Sequence, residues 1–178
     1  WIDTPAERYV SAISRHRGGV LSGIEWIVNR SAGHLDRVNA WAPDLRSRLV
    51  DFASRGKLIR GSLVVVGAEI YGTVPSDDLF RVAAAMELVQ SFLLIHDDIM
   101  DEDRLRRGKP AIFEQYRREG ESRGYQAADR FGESMGICAG DVAMLLAFEG
   151  VASTGLDPVL QRDLICMLAR EIGDVGVA

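Results

Sequence analysis

The chain has 178 residues, 47% of them hydrophobic and 26% charged, the balance of an ordinary globular domain with a sizeable core. Its net charge of −5 excludes a general attraction to nucleic acid or to an anionic membrane surface, so any positive charge that matters is local. The apolar runs, such as LVVVGA and AMLLAF, fall well short of the ~20 residues of a membrane span, and no secretion signal is recognisable.

Helical periodicity runs nearly throughout. Thr4 caps a helix that starts at Pro5 and is expected to continue towards Asn29, weakened at Gly18 and Gly19. WAPDLRSRLVDFAS starts a second helix at Pro43. GSLVVVGAEIYG is apolar all round and reads as a buried helix ended by Gly72. Ser76 caps the next, with Asp77 and Asp78 in its first turn, and its apolar stretch runs to Asp101. A polar segment from Glu102 to Gly124 is expected to be loop and short helix. Gln126 to Gly136, Ala139 to Ala152 and Pro158 to Ile172 read as three further helices. The expected fold class is all-α, one domain over residues 1–178. Cys138 and Cys166 lie in apolar contexts without metal-like spacing and are expected to be buried thiols of a reducing, cytoplasmic compartment. A chain that opens on Trp1 and closes on EIGDVGVA reads as a fragment of a longer protein.

The stretch HDDIMDEDRLRRGKP, His96 to Pro110, groups its charges by sign. Asp97 and Asp101 are one helical turn apart and project from one face, with Asp98 about 100° round the helix. Carboxylates at a helix C-terminus, after an apolar approach, are disfavoured unless a cation joins them. Mg²⁺ suits such a site, because it takes one or two carboxylates and completes its shell with water and phosphate oxygens. Arg106, Arg107 and Lys109 then form a cationic loop suited to phosphate. Separated signs leave room for an anion between them. The alternative is a surface acidic turn paired directly with its own basic loop.

DDIMD followed by RLRRGKP resembles the first aspartate-rich motif of the trans-isoprenyl diphosphate synthases, or polyprenyl synthetases. Upstream, GKLIRG, Gly56 to Gly61, is similar to that family's GKxxRP, and GESMGICAGDVAMLLAFE is similar to the helix pair after its first motif. The resemblance covers most of the chain from about Ala42. It implies a bundle of long antiparallel helices, of which this chain would be the N-terminal part, and a homodimer with an interface over Gln126 to Ala152. It implies that Asp97 and Asp101 bind Mg²⁺ and through it an allylic diphosphate, with Asp98 in support, and that Arg106 contacts that diphosphate. Lys57, Arg60 and Arg107 would bind isopentenyl diphosphate, with Gln90 where many members have His. Gly61 stands where the family has Pro, which relaxes the backbone after Arg60.

The reaction implied is condensation of isopentenyl diphosphate with an allylic diphosphate. The product tail would run down the apolar part of the Asp97 helix, where Leu93 and Phe92 lie roughly 6–7.5 Å away along the axis. An aromatic at Phe92 with no insertion in the motif resembles the short-chain class that makes geranylgeranyl diphosphate. A farnesyl diphosphate synthase, a noncatalytic subunit of a heteromeric synthase and a class I terpene cyclase remain as alternatives; GKxxR and RRG argue against the last. His96 is expected to be structural, and Asp141 a buried structural acid. The second aspartate-rich motif of the family has no counterpart here, so this chain alone is expected to turn over poorly.

Overall fold

A computed structural model describes residues 4–177. They form nine helices and a two-stranded hairpin: α1 Pro5–Ser14, α2 Arg17–Arg30, α3 Ala32–Val38, α4 Ala42–Ser54, α5 Ile59–Ile70, α6 Asp77–Met100, β1 Leu105–Arg106, β2 Lys109–Pro110, α7 Ile112–Ser122, α8 Ala128–Ala152 and α9 Pro158–Val177. The all-α expectation holds.

Local chemistry sets several boundaries. Thr4 and Glu7 form a capping box at the start of α1, which ends at Ser14, so the expected run to Asn29 is two helices. Ser76 accepts from the Leu79 amide at the start of α6. Gly72, with φ of +84°, closes α5 as the amides of Gly72 and Thr73 return to the carbonyls of Glu69 and Ala68.

The core lies where α2, α4 and α8 pack on α6. Val20, Ile24 and Ile27 of α2, Leu49 of α4 and Leu146 and Val151 of α8 are all buried there. On α6 the buried positions include Ala83, Ala84 and Ala85, small enough for neighbouring backbones to approach closely. Each larger apolar side chain removed from water contributes about 1.5–3 kcal/mol, so this junction anchors α6, whose last turn carries the aspartates.

Five expectations are corrected. The helices expected on either side of Gly136 are one helix, α8, because no residue between Gly136 and Ala139 breaks the backbone pattern. The Glu102–Gly124 segment contains a hairpin before its helix. In α5 only Gly61, Ser62 and Val65 are buried; Leu63, Ile70 and Tyr71 are exposed because α5 packs along one side, against α6 and α1. Cys138 and Cys166 are exposed thiols, on the outer faces of α8 and α9. The short apolar runs also understate two helices, for α6 and α8 are long and apolar enough to cross a membrane by length and composition; here they pack against each other.

Candidate diphosphate site

α6 delivers the aspartates at its last turn, where the Asp101 amide still bonds to the Asp97 carbonyl at 2.9 Å. Asp97 and Asp101 face outward, whereas Asp98 is fully buried. The geometry thus divides the acidic turn into two open carboxylates and one closed one.

The hairpin folds back over this turn. The Asp103 amide donates to the Asp98 carbonyl at 2.8 Å, and the Ala111 amide to the Arg104 carbonyl at 3.0 Å. Leu105 pairs with Pro110 and Arg106 with Lys109, leaving Arg107 and Gly108 as a two-residue turn. Both have positive φ, 54° and 74°, the requirement of a type I′ turn. Glycine and asparagine are the usual occupants, so Arg107 holds a conformation that costs an L side chain about 1–2 kcal/mol.

That turn sends two adjacent arginines to different places. Arg106 Nε donates to Asp98 Oδ1 at 2.6 Å, and its Nη2 reaches Asp97 Oδ2 at 3.3 Å. Burial pushes the Asp98 carboxyl above its usual range despite Arg106, while the Asp98 hydrogen bond pushes the Arg106 guanidinium up. The acidic turn and the basic loop therefore do pair directly, through Arg106. Arg107 points away from the aspartates: its Nη1 would lie 2.9 Å from a Cβ at Gly56, so the guanidinium packs directly over that glycine.

This contact joins the two sequence motifs. Lys57 adjoins Gly56, and Arg60 and Arg107 both act electrostatically on the buried Glu87 carboxylate. Lys109 lies 3.7 Å from Asp51 at the end of α4, tying the hairpin to the same corner. Lys57, Arg60 and Arg107 are exposed, and among the described residues none forms an ion pair, while Arg48, Arg55, Arg106 and Arg117 each do. The backbone here is unusual twice over, since the buried Leu58 also has positive φ, at 53°. Strain of this kind concentrates at functional sites.

Gln90 is half-buried and lines a cavity of about 320 Å³ with Arg60, Leu93 and residues of α9. Leu93 reaches this cavity; Phe92 stands on a neighbouring face of α6, edge-on to His96 with ring centroids 4.9 Å apart. His96 Nε2 lies 3.2 Å from the Ile137 carbonyl, the structural role expected of it. Asp141 is exposed, not buried, with its carboxylate 3.6 Å from His96. Its position on the outer side of α8 is the reason.

Among the described residues no set of three or more His, Cys, Asp or Glu side chains is arranged to cage a metal. Two outward carboxylates one turn apart match what Mg²⁺ asks of a protein when phosphates and water supply the remaining oxygens. Asp98 fits that role less well, because Arg106 occupies one oxygen and the other, Oδ2, is buried without a partner.

Sequence reasoning did not single out Glu87, although a lone acid inside AAAMELVQSFLLI was a signal. Nor did it find Glu114, buried on α7 and held by Arg117, Arg118 and Arg104.

Residues 45–176 match the Polyprenyl synthetase family. The chain is 44% identical over 109 residues to a short chain isoprenyl diphosphate synthase of Methanothermobacter thermautotrophicus, covering 61% of this chain and 29% of that protein. It is 34% identical over 155 residues to a geranylgeranyl diphosphate synthase of Methanosarcina mazei, covering 83% and 42%. The chain spans less than half the length of these curated relatives. A solved geranylgeranyl pyrophosphate synthase of Corynebacterium glutamicum superposes with a TM-score of 0.73 at 23% identity, over 82% of this chain and 43% of that one, a likeness of fold.

Proposed function

Since the chain belongs to the polyprenyl synthetase family, we propose that it forms the first half of a magnesium-dependent transferase that condenses isopentenyl diphosphate with an allylic diphosphate. The single observation that carries this reading is that Arg107 of the second motif lies against Gly56 of the first, so that Lys57, Arg60 and Arg107, exposed and among the described residues without ion-pair partners, stand where the two motifs meet. Three exposed cations set against the one buried carboxylate of Glu87 leave an excess of positive charge that favours a multiply charged anion.

In this reading Lys57, Arg60 and Arg107 hold isopentenyl diphosphate, with Gln90 contributing a donor. Asp97 and Asp101 would hold Mg²⁺, which when bound draws negative charge off the departing diphosphate. Arg106 serves the allylic side by keeping Asp98 folded inward and presenting its guanidinium beside Asp97. The isopentenyl double bond then attacks the allylic carbon as its bond to the diphosphate breaks, and the cationic adduct loses a proton to the released diphosphate, the C–H electron pair forming the new double bond. Leu93 and Phe92 bound the tail. Relatives named geranylgeranyl diphosphate synthase support the twenty-carbon product. A homodimer belongs to the same reading, with Ile137 and Leu145 exposed on the outer side of α8 as its apolar contacts.

The test is an assay of the full-length gene product with labelled isopentenyl diphosphate, allylic primers and Mg²⁺. Condensation products of defined length support the reading; binding of both diphosphates without condensation refutes it.

A further inference from the structure

Lys57 and Arg60 flank the start of α5, a turn that another group must hold, and the geometry points to Glu87. Its carboxylate is buried on α6 against the first turn of α5 and accepts from the Gly61 amide at 2.7 Å. That amide is among the leading donors of α5, which no residue within the helix can satisfy. Glu87 therefore caps α5 from a different helix.

The fit depends on glycine. A Cβ at position 61 would lie 2.7 Å from the Ala83 carbonyl oxygen and 2.9 Å from Val20 Cγ1. The proline of GKxxRP, lacking an N–H, could not donate here. Where the family motif has a proline, this chain has an N–H, and Glu87 accepts from it. Arg60 precedes Gly61 directly, so the direction in which it leaves the helix follows from how that turn is seated. Arg60 and Arg107 both lie near enough to draw the Glu87 carboxyl down, against a burial that pushes it up more strongly.

We propose that Glu87 is a positioning residue for the isopentenyl diphosphate site: by accepting the Gly61 amide it sets the first turn of α5, and with it Arg60, without touching substrate. This rests on the reaction proposed above. It predicts an effect confined to one substrate.

The experiment is steady-state kinetics of the full-length gene product with each substrate varied in turn. Loss of a hydrogen bond to a charged acceptor should raise KM for isopentenyl diphosphate about 10-fold or more in Glu87→Ala, with the allylic KM and kcat within about threefold of the parent. Glu87→Gln, whose amide oxygen still accepts from Gly61, should restore KM to within about threefold. Should Glu87→Ala fail to fold, Glu87→Asp carries the test, since it keeps the charge but withdraws the acceptor by about one C–C bond, ~1.5 Å; it too should raise that KM alone. Equal shifts in both KM values, an unchanged isopentenyl KM, or a Gln variant as impaired as Ala overturns the positioning role while a condensing parent leaves the reaction standing. A parent that does not condense overturns both.

Discussion

Arg106 Nε lies 2.6 Å from Asp98 Oδ1, and through this pair the hairpin is fastened to the buried side of the acidic turn. Within the proposed function, the three aspartates of DDIMD should therefore divide their work between stability and ligand binding. Asp98→Ala should remove an internal acceptor and leave the half-buried Arg106 with only its longer contacts to Asp97 and Asp103, costing about 2–3 kcal/mol once partial solvation of Arg106 is allowed for. For a chain of this size that is a fall in Tm of roughly 5–10 °C. Asp97→Ala and Asp101→Ala, at outward positions, should stay within about 1 kcal/mol of the parent yet lose Mg²⁺-dependent binding of an allylic diphosphate analogue. Thermal melts beside Mg²⁺ titrations check the split; equal Tm losses for all three would contradict it.

The second prediction concerns the backbone of Arg107. Its φ of 54° suits Asn or Gly, so Arg107→Asn should relieve strain and stabilise the protein by about 0.5–1 kcal/mol. The same change removes a guanidinium from the Gly56 corner, so binding of inorganic pyrophosphate in the full-length protein should weaken about tenfold or more. Stability and affinity should move in opposite directions. A destabilised Asn variant would mean that the arginine side chain contributes more to the fold than the turn costs.

Much of this was legible in the sequence. Apolar periodicity and the caps at Thr4 and Ser76 gave the all-α class and the starts of α1 and α6, because those signals are local, but they missed the break between α1 and α2, the short α3 and the continuity of α8. The two motifs named Lys57, Arg60, Asp97 and Arg107 for the same reason. What was not legible depends on contacts between distant segments. Nothing in RLRRGKP says that Arg106 turns to Asp98 while Arg107 turns to Gly56; a type I′ turn with arginine at its first central position runs against turn preference. The burial of Asp98 and the exposure of Asp141 follow from which face of α6 and α8 meets the core, and the residues beside them in sequence do not announce that. Gly61 looked like a loosened proline and is instead a donor in a close helix contact.

A pH dependence follows from Glu114. Hydrogen bonds from Arg117 hold its carboxyl down at about 2, with burial opposing and Arg118 assisting. A carboxylate depressed on folding contributes stability that is complete above its unfolded value, ~4.3, and disappears as pH falls through the folded value. Tm of the parent should therefore drop between about pH 4.5 and pH 2. Glu114→Gln should be less stable at pH 7 and show a shallower drop across that window. Because Arg104, next to the hairpin, also reaches Glu114 at 3.3 Å, the same acid range should loosen the hairpin. Parallel acid profiles for parent and variant would remove Glu114 from this role.

Product length tests the apolar end of α6. Leu93 lines the 320 Å³ cavity beside Gln90 and Arg60, whereas Phe92 packs against His96 towards α8. Within the proposed reaction, the growing tail runs down α6 from Asp97, and the two side chains bound it from adjacent faces. Phe92→Ala should open space next to His96 and lengthen the product by at least one five-carbon unit. Leu93→Phe should extend a rigid ring into the cavity and shift the profile to shorter chains, because the ring reaches further across a space already lined on both sides. Chromatography of dephosphorylated products from the full-length gene product reads both changes at once. If Phe92→Ala leaves the profile unchanged while Leu93→Phe shortens it, the floor of the tail site lies on the α9 side of α6, and Phe92 serves to hold His96 in place.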